Sequence, residues 1–350
     1  MKEGAAIRFL LVALPTGLLL LGVGAMVATH LGRENRPADP NEAKRLDAAS
    51  LQRRPVSRGD LAASVGMLAN RIGERHPGRP EGLERAAFWI ESTLGPGNLG
   101  YVVERHGFEV GEQELRNLVA ELPGRKRRRE IVVVGAHYDS DPDDPSDGGA
   151  VANAAGTASL LALARAFAGD PQERTIRFVA FAAGRGPTRG TDATGSFVYA
   201  RRCRAREEDV VAMLGIEWAA PVPAAKGAGT ASAGGEGIFL VGDGGSRYFL
   251  DSARGAFRAA VTLNVETVMA DGDADRTEGP VFFSDAGAFR EAGFPAVLAA
   301  NAVAEAGGKI APGGDAEKGE DFGIDFGALE EATLGLEAIV RAWANPSGGQ

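Results

Sequence analysis

Three short apolar runs in this chain end in side chains that can do chemistry. Ile131-Val-Val-Val-Gly-Ala runs into His137, Tyr138, Asp139 and Ser140; Thr175–Ala183 runs into Gly184-Arg185; Met213-Leu-Gly-Ile runs into Glu217. An imidazole and carboxylates can bind a metal ion, carry a proton or satisfy one another as an ion pair. A guanidinium presents a planar fork of donors that matches a carboxylate, so Arg185 suits Glu217, or Asp285 within Phe283-Ser-Asp-Ala286. Plainer readings stand beside these. His137 with Asp139 makes a satisfied structural pair at a strand end, and Arg185 makes a loop arginine facing solvent.

Composition narrows the chemistry further. Cys203 is the single cysteine, which rules out an intrachain disulfide and a thiolate metal cluster. A net charge of −9 leaves no excess cation to neutralise phosphates, so a nucleic-acid partner is not expected. The one basic run, Arg125-Lys-Arg-Arg-Arg129, lies between two apolar segments and predicts a solvated hairpin tip, with contact to anionic lipid or a partner as the alternative. Two acidic runs invite a calcium reading, but Asp141–Asp147 holds too much proline. Asp271–Asp275 is followed by Arg276 where the calcium loop turns on glycine. Both read as solvated loops.

The elements that must position these groups alternate. Apolar residues at helical spacing predict helices over Arg58–Glu74 and Glu81–Leu94. Strands are expected at Tyr101–Phe108, Leu115–Leu122 and Ile131–Ala136, then a helix from Asn153 to Ala168 and strands at Thr175–Ala183 and Val211–Glu217. Short strands at Gly237–Val241, Val261–Val265 and Ala296–Ala300 lie between helices, and an amphipathic helix, Phe326–Trp343, closes the chain. This alternation predicts an α/β fold with a mixed, largely parallel central sheet and helices on both faces. In such sheets functional groups collect beyond the carboxyl ends of the strands, where His137, Gly184-Arg185 and Glu217 all fall.

From about Ala86 to Trp343 the motifs resemble the zinc-dependent exopeptidases of the bacterial leucyl aminopeptidase and glutaminyl cyclase type. The carriers are the strand ending in His137-Tyr-Asp139, Gly149-Ala-Val-Ala-Asn153-Ala-Ala-Gly156, the strand before Gly184-Arg185, Thr191-Asp-Ala-Thr-Gly-Ser196, and Gly293-Phe-Pro-Ala-Val297. The resemblance implies a three-layer sandwich over residues 57–345. It also implies a two-zinc site in which each metal takes about three protein ligands, a carboxylate bridges the pair and another acts as general base. On that pattern His137 is the first ligand, Asp139 orients it, and Glu217 is a further ligand of the same zinc. The bridging position is Ala152, the general-base position is Gly184 and a ligand of the second zinc is Arg185, none of which can serve. The family's last ligand is a histidine, yet the four histidines are at 30, 76, 106 and 137, so none follows His137. The resemblance thus leads to a scaffold without its reaction, holding no zinc or one weakly bound ion at His137 and Glu217. Arg185 stands in as the positive centre of a pocket that includes Asp285 and Asn153.

Phe9–Thr29 is 21 residues without a charge, about the length that spans a bilayer. It predicts a single-pass anchor within residues 1–30, with a cleaved signal peptide as the alternative. Residues 31–56, with Pro37, Pro40 and Pro55, read as a linker. The resemblance to exported peptidases favours an extracytoplasmic domain. The expectation is therefore a membrane-anchored pseudopeptidase that binds a peptide or amine. An active exopeptidase with a non-standard or single-metal site, and a structural ectodomain of an envelope complex, are the alternatives.

Overall fold

Why one strand should lie at the centre is visible in its own sequence. From Ile131 to His137 every residue is buried, on both faces, which only a strand flanked by partners and covered by helices above and below can sustain. The computed structural model describes residues 54–142, 153–185, 188, 191–218, 237–270, 284–301 and 324–346. These all belong to one compact unit spanning Ser50–Gln350. The predicted anchor, Ala152, Asp271–Asp275 and most of Asp141–Asp147 lie outside the described residues. No helix among the described residues is long and apolar enough to cross a membrane.

In chain order the elements are α1 (Arg58–Gly66) running into a π-helical turn (Met67–Ile72), α2 (Pro80–Leu94), β1 (Val103–Val110), β2 (Gln113–Leu122), β3 (Arg127–His137) and α3 (Ala154–Phe167). There follow β4 (Arg174–Phe181), α4 (Gly195–Ala205), β5 (Asp209–Glu217), β6 (Ile238–Gly242), α5 (Arg247–Ala260) and β7 (Val265–Met269). The last three are α6 (Asp285–Glu291), β8 (Ala296–Ala300) and α7 (Phe326–Ala344). The sheet has eight strands in the order β1-β2-β4-β3-β5-β8-β6-β7. Its centre, β4-β3-β5-β8, is parallel, as is β6-β7, whereas β1-β2, β2-β4 and β8-β6 are antiparallel.

Alternate residues of β3 feed two different cores. Val132, Val134 and Ala136 pack with α1, α2, α3, α5 and α7, while Ile131 and Val133 pack with α4 and α6. That makes three layers, with the sheet in the middle.

Three expectations need correcting. The basic run is not a hairpin tip, because β4 lies between β2 and β3 and the two never pair. Arg127 already starts β3, and Arg125, Lys126 and Arg127 face Asp170, Glu173 and Glu130. The strand expected at Val261–Val265 begins only at Val265, since residues 261–264 link α5 to its neighbouring strand. The first helix stops at Ile72, where Gly73 adopts a positive φ of 73°, rather than continuing to Glu74.

Candidate functional site

Parallel register brings the chemistry together. His137 on β3 is level with Phe181 at the end of β4, and β5 runs alongside β3 and ends in Glu217. Arg185 follows β4 by one sharp turn. The three strand ends therefore converge on one buried cluster.

The turn itself is held from two sides. Asn117 on β2 accepts from the Ala182 amide (3.0 Å) and donates to the Gly195 carbonyl (2.8 Å). Asp139, completely buried, accepts from the amides of Gly184 (2.9 Å) and Arg185 (2.8 Å). Between them Ala183 sits at φ 58°, a left-handed conformation that costs a non-glycine residue energy and persists where its surroundings impose it. Thr188 closes the loop by donating its hydroxyl to the carbonyls of Ala183 (2.8 Å) and Arg185 (3.0 Å).

So anchored, Arg185 is not a solvent-facing loop residue. It is only 7% exposed, and its guanidinium donates from Nη2 to Glu217 Oε1 at 2.7 Å and from Nε to His137 Nε2 at 3.2 Å. Because arginine has no lone pair to offer, His137 Nε2 must be the acceptor, which puts the neutral ring's proton on Nδ1. Nδ1 lies 3.5 Å from Asp139 Oδ1, long for a hydrogen bond, so that contact is mainly electrostatic. Burial would raise the Asp139 pKa, but His137 and the two backbone amides outweigh it and hold the carboxyl below its ordinary value. Asp285, first residue of α6, lacks such compensation. Burial, opposed by His137 and assisted by Glu217, pushes it up to about 6, and Ser196 hydrogen-bonds to it.

Asn153 lies under the site rather than in an open pocket. It is fully buried at φ 71°, and its side-chain amide donates to the His137 carbonyl, which also accepts from Thr157 Oγ1 at 3.1 Å. Arg75 has a matching role on the far side. Its carbonyl accepts from the Ser140 amide (2.9 Å), its own amide donates to Ser140 Oγ (3.0 Å), and its fully buried guanidinium donates to the carbonyls of Tyr138 (2.8 Å), Gly73 (3.1 Å) and Leu68 (3.3 Å). Neither Arg75 nor Asn117 stood out in the sequence, since their partners are backbone atoms of distant segments. The turn and extended segments around them carry no local signature of that use.

With the geometry in view, the comparisons fall into place. The structure resembles a zinc aminopeptidase from Bacillus subtilis with a TM-score of 0.63 at 15% identity, covering 85% of this chain and 97% of that one. It resembles a Zn-dependent exopeptidase from Parabacteroides distasonis (TM-score 0.59, 17% identity, 83% and 99% coverage). It also resembles a Bacteroides thetaiotaomicron glutaminyl cyclase bound to N-acetylhistamine (0.59, 15%, 82% and 98%). At such identities the likeness is one of fold. A comparison with curated proteins gave no match. Residues 117–307 match the model of Peptidase family M28, more than half of the chain, and the chain belongs to that family.

Zinc is the ion that the names of the aminopeptidase and the exopeptidase carry, and the residues present do not fit it as they are arranged. The two nitrogen and oxygen atoms best placed to bind it, His137 Nε2 and Glu217 Oε1, both already accept from a permanent cation. At Gly184, where the resemblance implies a general base, there is no room even for a methyl group, because a Cβ would stand 2.6 Å from His137 Cβ and 2.7 Å from Cγ. No cluster of three or more potential ligands is found among the described residues.

Proposed function

We propose that this chain is a membrane-anchored M28-fold protein that holds a peptide amino terminus or a small amine at the β3-β4-β5 strand ends without hydrolysing it. One observation carries the reading: the Arg185 guanidinium is seated on His137 Nε2 and Glu217 Oε1, with no space at Gly184 for a general base. Charge supports an amine as ligand. Glu217 and Asp139 both add to the negative field at Asp285, whose pKa is raised to about 6 chiefly by burial. An ammonium placed beside these carboxylates favours their ionised forms.

The test is a paired assay on the purified full chain. Aminoacyl-nitroanilides should show no turnover above blank with zinc, cobalt or chelator. Short peptides with a free amino terminus should bind in the presence of chelator, about tenfold more weakly after Asp285→Asn. Stoichiometric zinc together with aminopeptidase activity abolished by His137→Ala would refute the proposal.

A further inference from the structure

The position of one guanidinium carries a statement about metals that goes beyond the absence of hydrolysis. Zinc binds histidine nitrogen and carboxylate oxygen at about 2.0–2.2 Å. Arg185 holds the same two atoms at 3.2 and 2.7 Å, and its own charge opposes a second cation between them. The backbone that carries it is fixed, its amide bound by Asp139 at 2.8 Å and its carbonyl by Thr188 at 3.0 Å, and the side chain itself is buried on its two partners. The histidine is meanwhile kept in the tautomer a metal would need, with Nε2 unprotonated and pointing at the cation and Nδ1 toward Asp139.

We propose that Arg185 is a tethered cation that occludes a latent divalent-metal site, so that removing the guanidinium, with no ligand added, opens His137 and Glu217 to zinc. The inference shares with the proposed function the seating of Arg185 on His137 and Glu217, and does not depend on any ligand being bound there.

The experiment compares the full chain with Arg185→Ala in thermal unfolding, with and without zinc and then chelator, alongside cobalt titration followed by its visible absorption. The wild type should show no zinc-dependent shift. Arg185→Ala should unfold at lower temperature and recover roughly 3–5 °C on adding zinc, reversed by chelator. Arg185→Ala with His137→Ala should recover nothing. Arg185→Lys, which keeps a cation, should stay insensitive to zinc. Should Arg185→Ala fail to fold, long-range nitrogen-15 spectra of the wild-type histidine rings still decide the matter. His137 Nε2 should read as a neutral hydrogen-bonded acceptor, unchanged by zinc. A zinc-induced shift of that nitrogen in the wild type, or a folded Arg185→Ala that gains no metal, would overturn the proposal. Failure of the wild type to bind peptides would overturn the proposed function and leave this inference intact.

Discussion

Arg185 and Glu217 form a buried pair, with side chains 8% and 10% exposed. Removing one partner strands the other's charge, so Glu217→Ala should lose roughly 3–5 kcal/mol in urea unfolding. Glu217→Gln, which keeps an acceptor, should lose less. Asp285 should behave oppositely. Its folded pKa, about 6, lies above its ordinary value of 3.8, so the native form takes the proton first. Stability is therefore lost as pH rises from about 4 through 6. Asp285→Asn should stabilise the fold at pH 8, by on the order of 3 kcal/mol in urea unfolding, and change its stability little near pH 4. Placing an acid at Gly184 should not confer hydrolysis. Gly184→Glu should lower the melting temperature and leave turnover at blank, because its Cβ meets the His137 ring. The residues bearing chemistry were legible because strand ends advertise them; Asn117 and Arg75 were not, because they act on backbone atoms far away in sequence.

At the scale of elements, local pattern and tertiary packing can give opposite signs. Gly335 lies in the interior of α7, where helix propensity alone would credit Gly→Ala with about 1 kcal/mol of stabilisation. Here a Cβ would stand 2.2 Å from Cε2 of the Phe257 ring on α5. Gly335→Ala should therefore destabilise, by roughly 1–3 kcal/mol on chemical denaturation. A stabilised variant would show that the α5–α7 seam yields. The same contrast governs what the sequence disclosed. β3 was plain, since its apolar run is short and led by isoleucine and three valines, which favour a strand buried on both faces. The order of strands was not, because no pattern in β2 or β3 records that β4 inserts between them. α5 passed unspecified among the helices between the late strands, its apolar Leu250, Ala253 and Phe257 set among several arginines.

For the molecule as a whole, three cations of the basic run, Arg125, Lys126 and Arg127, face Asp170, Glu173 and Glu130, and Glu130 also takes Arg174, while Arg128 and Arg129 are exposed. The proposed attachment to a bilayer through Phe9–Thr29 is tested by fractionation. The full chain should stay with membranes through high salt and alkaline carbonate, and a chain lacking that segment should not. Release of the full chain by salt alone would remove the anchor from the proposal.

The strand order also sets a timetable. β3 is made before either neighbour, since β4 begins at Arg174 and β5 at Asp209. At ordinary rates of translation its Ile131–Ala136 core waits on the order of 10 s, unpaired on both edges, while those strands are synthesised. A chain built this way completes its central strand well before the strands that cover its edges. Its yield in a cell is thus governed by what shields that segment during the wait, as much as by the stability of the finished fold.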